Sequence, residues 1–209
     1  PVEDAGPDRI DDAKARAIAG VVKVIRLPYG VGVVAETPWA AFDAKRALAG
    51  AVNIITSTSA GHRHGMTATA VCSATADPPT VLACINKLAS THGAVAKSKA
   101  FCVNVLRAED WELSTSFSGA QSGDTRFKSR DWTRLATGSP VLIDALVSFD
   151  CRVVKRLSHG THTIFLGQVE QVLFGKKGKP LLYSEGQYAK LGSLTLGEPL
   201  PEGLDYWGF

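Results

Sequence analysis

Several familiar signals are missing from this 209-residue sequence, and each absence closes a class of function. No run nears the ~18 apolar residues that a membrane-crossing helix needs, and no cleavable leader pattern opens the chain. A cytoplasmic protein with no membrane partner is therefore expected. Basic residues (23) barely exceed acidic ones (20) and form no stripe interleaved with aromatics, which argues against a nucleic-acid partner. Lys176, Lys177 and Lys179 cluster among Gly175, Gly178 and Pro180, the composition of a solvated hairpin tip. The four cysteines, Cys72, Cys84, Cys102 and Cys151, lack Cys-x-x-Cys spacing, so a zinc or thioredoxin-type site is excluded. Buried free thiols of a reducing compartment are expected instead. The five histidines include no helical His-x-x-x-His pair with a third ligand at suitable spacing, so no metal is expected. Repeats and low-complexity tracts are absent too.

What is present divides unevenly. Residues 1–40 combine an acidic opening, an Ala/Lys/Arg stretch at 13–19, an apolar run from Val21 to Ile25 and breaks at Pro28 and Pro38. They read as an extension that packs on the main domain or on a neighbouring subunit. Gly30-Val31-Gly32-Val33-Val34-Ala35 formally matches a dinucleotide fingerprint, but Pro38 stops any helix within two turns and no acidic residue sits ~20 positions on. Residues 41–195 form the main domain and 196–209 a tail. Helix formers from Phe42 to Ala49 end at Gly50, and β-rich Val52 to Thr58 closes in a turn at Ser59-Ala60-Gly61.

The stretch Gly65 to Asn86 predicts two strands, roughly 66–75 and 79–86, joined by a proline-stiffened turn. Its inner face is unusual. A strand usually fills that face with Val, Ile or aromatics, whereas Thr67, Ala68, Thr69 and Ala70 leave room for another body close to the backbone, and a flat cofactor ring is expected there. A short helix at 90–98, a strand at 101–106, an amphipathic helix around 109–117 and a polar loop at 119–130 follow. Long antiparallel strands at 146–154 and 163–174 flank a turn at Ser158-His159-Gly160-Thr161. Phe149, Cys151 and Val153 share one face there, with Ile164, Leu166 and Val169 largely on the others. Six or seven strands with few helices predict a closed or partly closed antiparallel barrel.

Several ordered segments together resemble the short-chain NAD(P)H:flavin reductases, the small components of two-component flavin monooxygenases. They are 50–56, 65–79, Phe101-Cys102-Val103-Asn104-Val105-Leu106, Gly138-Ser139-Pro140-Val141-Leu142, 148–152, and Gly160-Thr161-His162 with Gly167 and Val169. The resemblance spans about residues 42–192 and is nearest to the subgroup serving 4-hydroxyphenylacetate hydroxylation and pyrimidine ring opening. It implies a mainly β, antiparallel Greek-key split β-barrel with flanking short helices, usually a homodimer. It also implies FMN, with FAD as an alternative, reduced by NADH or NADPH, and reduced flavin passed to a partner monooxygenase by diffusion.

The residues that the resemblance assigns to flavin have sensible chemistry. The ring would lie along Gly65, Met66, Thr67, Thr69 and Ala70, with Arg63 and His64 near its edge or simply in a solvated turn. Cys84, Ile85, Asn86 and Lys87 lead to Ser90 and Thr91, where the phosphate would meet a helix N-terminus whose free amides and dipole favour an anion. A plain N-cap has the same geometry. Phe117 would line the flavin, although a phenylalanine at helical spacing also suits a core. His162 matches the family's Gly-x-His and would face the flavin from the nicotinamide side, orienting the nicotinamide rather than serving as a base; a histidine satisfied by backbone at a strand entry is the alternative.

Tyr183, Ser184, Glu185, Gly186 and Tyr188 fall in a segment that frames the nicotinamide cofactor in relatives. Many of those carry arginine where Ser184 and Glu185 stand, and a carboxylate repels a 2′-phosphate, so NADH is favoured over NADPH. The alternatives are a non-catalytic FMN-binding split-barrel protein and a relative that reduces a corrinoid or ferric substrate through reduced flavin.

Overall fold

A computed structural model describes residues 13–17, 21–27, 30–35, 49–120 and 123–191. Residues 42–48 of the helix expected at 42–49, and the tail at 196–209, lie outside these residues. In the extension, β1 (Val21–Leu27) and β2 (Gly30–Ala35) form a separate antiparallel hairpin. The fingerprint-like glycines thus sit on a strand.

The barrel is a seven-stranded antiparallel sheet. Its strands are β4 (Asn53–Ser59), β5 (His62–Ala68), β6 (Val71–Thr75), β7 (Thr80–Asn86), β8 (Ala100–Val105), β11 (Val147–His159) and β12 (His162–Phe174), in the order β5-β4-β8-β11-β12-β7-β6. Two tight hairpins match their turn residues. Ala60 and Gly61 both have positive φ between Ser59 and His62, and Gly160 with Thr161 joins His159 to His162.

The expected strand 66–75 is in fact two strands. β5 ends at Ala68 and β6 begins at Val71, and these consecutive strands occupy opposite edges of the sheet. Thr69 and Ala70 carry the chain across the split, where the Ala70 carbonyl accepts from the Cys84 amide at 3.0 Å. Small residues at 69–70 therefore turn a barrel corner rather than line a strand face.

The helix β7 leads into, α2 (Ser90–Ser98), follows α1 (Ala13–Arg16) in chain order. Val95 of α2 packs into the barrel interior with Ile55, Ile85, Phe101 and Phe165. Ile54, next to Ile55 on β4 and so on the opposite face, belongs to a second cluster with Leu106, Phe117, Phe127 and Leu181. β4 is thus buried on both sides, which explains its uninterrupted run of buried residues. Buried Asn104 crosslinks the strands by donating to Ile54 O (2.9 Å) and accepting from Leu142 N (2.7 Å) and Ser148 Oγ (2.9 Å).

Outside the barrel, β3 (Gly50–Ala51), β13 (Leu181–Ser184) and β14 (Gln187–Lys190) form a small sheet, and β9 (Trp132–Arg134) pairs with β10 (Pro140–Leu142). The helix expected around 109–117 is a short 3-10 turn at Ala108–Asp110, α3 (Trp111–Thr115) and a wide turn at Ser116–Ala120. The expected loop 119–130 holds a 3-10 turn, Gly123–Phe127, anchored by buried Phe127.

Three further expectations change. The lysines of 176–179 stand in the link from β12 to β13, where Lys176 pairs with Asp144 at 2.9 Å, so they form no hairpin tip. Cys102 and Cys151 are buried, but Cys72 is exposed because β6 is an edge strand. On β12 the inward residues are Thr163, Phe165 and Gly167, while Ile164 and Leu166 are half-buried. Gly167 is small for a reason: a Cβ there would collide with the Phe101 ring.

Candidate functional site

Beside the split, β5, the β7–α2 connection, the turn after α3 and the β13–β14 hairpin enclose a cavity of about 610 Å³. That volume suits a planar cofactor. Of the residues proposed from sequence, Gly65, Met66, Thr67, Thr69 and Asn86 line it, as do Ser90, Thr91, Phe117, Tyr183 and Tyr188.

The β5 wall is built from groups that already have partners. Gly65 packs directly against Phe117: a Cβ on Gly65 would lie 2.5 Å from one ring carbon and 2.8 Å from the next. Phe117 is only 2% exposed and meets Phe127 and Trp132 at 5.0 and 5.7 Å between ring centroids. It is both a core aromatic and a cavity wall. The Thr67 hydroxyl donates to Ser114 O at 2.6 Å, and Ser114 Oγ accepts from Tyr188 OH at 2.9 Å. Tyr188 in turn meets Tyr183 edge to face.

The α2 wall is different. The residue capping the helix is Ala89, whose side chain makes no capping hydrogen bond, and no carboxylate occupies the first turn. The first amides of a helix have no partner within it. Thr91 is 1% exposed, lines the cavity, and its hydroxyl is buried with no hydrogen-bond partner. Asn86 shapes the approach by accepting from Leu88 N at 2.9 Å. Neither Ser90 nor Thr91 caps the helix, so the plain-cap alternative for them falls. Unspent donors at a helix N-terminus suit a phosphate, and the orphan hydroxyl at Thr91 adds one more donor to them.

Sequence reasoning missed Arg126. It lines the cavity, donates from Nη1 to Gly65 O at 2.8 Å and holds its guanidinium 5.6 Å from the Phe117 ring centre. Its Nε is buried without a partner, and burial lowers its pKa. The neighbouring Phe127, a lone aromatic in a polar stretch, is the signal that marks this segment as packed. Val52, Ala68, Leu88, Ala89, Ser118 and Gly119 also line the cavity and were not proposed.

The other proposed residues lie outside the lining. Arg63 pairs with Asp124, its Nε donating at 2.6 Å, and sits 4.6 Å from the Phe127 ring centre. That pairing raises its pKa and lowers that of Asp124. His64 is half-buried, and burial, His62 and Arg126 together hold its pKa down. Ala70 is at the barrel corner, Ile85 is in the barrel core, and Cys84 is half-buried on β7. Lys87 donates to Gly160 O at 2.8 Å, tying the β11–β12 turn. Glu185 and Gly186, both with positive φ, and Ser184 make the β13–β14 turn. His162 is exposed, pairs with Asn86 across β12 and β7, and exchanges a 2.8 Å hydrogen bond with Thr161 Oγ1. Among the described residues no cluster of metal ligands occurs.

Comparison with known proteins gives the family. The FMN reductase (NADH) RutF of Variovorax paradoxus (strain S110) is 42% identical over 151 residues, covering 72% of this chain and 84% of that protein. The flavin reductase PheA2 superposes with a TM-score of 0.67 at 31% identity, covering 75% of this chain and 99% of PheA2. BorF, the flavin reductase component of a bacterial two-component tryptophan halogenase, gives 0.66 at 28% identity over 72% of this chain and 95% of BorF. Residues 45–192 match the flavin reductase like domain, so a chain whose cavity keeps free donors at a helix N-terminus beside a split barrel belongs to the flavin reductase family.

Proposed function

We propose that this chain is an NADH-dependent FMN reductase that supplies reduced flavin to a partner monooxygenase. One observation carries the reading of the site: the buried Thr91 hydroxyl, without a partner, at an uncapped helix N-terminus that opens into the 610 Å³ cavity. Ser90, Thr91 and the first α2 amides would hold the phosphate. Gly65, Met66, Thr67 and Thr69 would present the flat wall for the ring, with Tyr183 and Tyr188 closing the opposite side.

When bound, flavin supplies the hydride acceptor, so the protein's task is placement. Stacking two rings at near-attack separation accounts for up to several kcal/mol, as an order of magnitude. Arg126 brings a permanent cation to the cavity wall, where it favours negative charge arising nearby. His162, on the exposed edge beside Asn86, is proposed to orient the nicotinamide. His162→Ala should raise the KM for NADH while leaving FMN affinity unchanged; an unchanged KM removes that role.

The domain is proposed to span 41–195 with the extension 1–40 on a neighbouring subunit of a homodimer. In support, hairpin β1–β2 pairs with no barrel strand among the described residues, and its Val22 is exposed. No described helix is long and apolar enough to cross a membrane, and the four free cysteines suit a cytoplasmic setting. The test is titration of apo-protein with FMN, followed by NADH oxidation with FMN added. Tight FMN binding with flat NADH absorbance would leave a carrier rather than an enzyme.

A further inference from the structure

Three of the four walls of the main cavity are anchored in the body of the fold. β5 and β7 belong to the seven-stranded sheet, and the turn after α3 carries Phe117 into the core cluster of Ile54, Leu113 and Phe127. The fourth wall, the β13–β14 hairpin, is held far less. It pairs with β3 through two residues, Leu182 with Ala51 and Tyr183 with Gly50, and all four residues of β14 are exposed. Its root is Leu181, 2% exposed, whose amide donates to Leu106 O at 2.9 Å and whose carbonyl accepts from Val52 N at 2.8 Å. A two-stranded hairpin is marginally stable in water by itself. The outer strand therefore depends on a further tie.

Among the described residues, one side chain of β14 hydrogen-bonds beyond the hairpin. It is Tyr188, whose hydroxyl donates to Ser114 Oγ at 2.9 Å and lies 3.4 Å from Thr115 Oγ1. Thr115 Oγ1 already donates to Trp111 O at 3.0 Å, which leaves Ser114 as the main acceptor. Ser114 is itself firmly placed. It is fully buried on α3 next to the core residue Leu113, and its carbonyl accepts from Thr67 Oγ1 at 2.6 Å. Ser114 stands behind the cavity lining, yet it joins two walls: its carbonyl takes Thr67 of β5 and its hydroxyl takes Tyr188 of the hairpin.

Tyr183 and Tyr188 are the two hairpin residues that line the cavity, and they meet edge to face with ring centroids 5.4 Å apart. Losing the bond to Ser114 frees both rings together. Segments with few buried apolar contacts and exposed backbone open locally at low cost. We infer that the β13–β14 hairpin is a gate on the main cavity, and that Ser114 is the positioning residue that holds it shut through Tyr188. One neutral hydrogen bond shifts such an opening equilibrium by about two- to tenfold. That is enough to keep the tyrosine pair over a bound ring, and little enough to yield when reduced flavin has to leave. The inference rests on the flavin reading for what passes the gate, whereas the latch itself is tested without ligand.

The test uses the full chain with Ser114→Ala, Tyr188→Phe and both together. Ser114→Ala keeps the carbonyl that Thr67 uses, and Tyr188→Phe keeps the ring. Hydrogen exchange on ligand-free protein should show the amides of β13 and β14 exchanging about two- to tenfold faster in each variant, with β4 and β8 unchanged. Stopped-flow displacement should show FMN leaving faster by a similar factor, and the double variant should be no faster than Tyr188→Phe alone, since both changes remove the same bond. Unchanged hairpin exchange in Tyr188→Phe overturns the inference, even if Ser114→Ala fails to fold. Additive effects in the double variant overturn it too, because the two hydroxyls then act separately. Faster exchange with an unchanged FMN dissociation rate also overturns it, because FMN then does not pass the hairpin. Faster exchange in a protein that binds no FMN upholds the latch and overturns the flavin reading alone.

Discussion

The two walls of the main cavity treat their polar groups in opposite ways. On the β5 side the Thr67 hydroxyl is committed to Ser114 O and the Gly65 carbonyl to Arg126. On the α2 side Thr91 keeps a buried hydroxyl without a partner, at a helix whose cap is an alanine. Leaving a buried group unpaired costs about 1–3 kcal/mol, a cost that a ligand can relieve by supplying the partner. On the proposed reading the small-residue wall gives shape and the helix wall gives recognition.

The largest expected effect attacks shape. Gly65→Ala forces a methyl against Phe117 and, through it, against Phe127 and Trp132. Overpacking of this kind costs about 1–3 kcal/mol, and calorimetry should show a melting point lower by roughly 2–4 °C per kcal/mol, along with weaker FMN binding. An unchanged melting point would show that the ring of Phe117 is not held in place.

Next come two substitutions of the same chemistry with opposite outcomes. Thr91→Val should weaken FMN binding about tenfold or more while leaving the melting point equal or higher, since an orphan hydroxyl is removed. Thr67→Val should lower stability by about 1 kcal/mol and change FMN affinity little. Matching responses from the two variants would erase the distinction between the walls.

The smallest effect is a pH slope. His92 has a folded pKa below its ordinary value of 6.5, first through burial and then through Lys87 and Arg156. The unfolded chain therefore binds more protons in the window below 6.5, so stability is present above that pH and is lost as pH falls toward the folded value. His92→Gln should reduce that slope in urea midpoints, leaving the share of His64, whose pKa is also held down by burial. A wild-type midpoint that rises on acidification would reverse the assigned sign.

How much of this was legible in the sequence depends on whether a feature is local. The two tight turns, α2 and the long strands of the β11–β12 hairpin follow from turn residues and alternation. The corner at Thr69 and Ala70 does not, because small residues look alike whether they line a ligand or turn between sheet edges. Arg126 escaped because its role depends on Phe127 pulling a polar segment into the core. Ser90 and Thr91 stand out in the sequence and line the cavity, although only the fold shows that Ala89 takes the capping position and leaves Thr91 unpaired.

The central claim is that the opening of α2 reads a phosphate. Paired titrations with FMN and riboflavin, on wild-type protein and Thr91→Val, test it most directly. The account predicts that wild type binds FMN at least about tenfold more tightly than riboflavin and that the variant closes most of that gap without losing riboflavin. Equal affinities of wild type for the two flavins would contradict it.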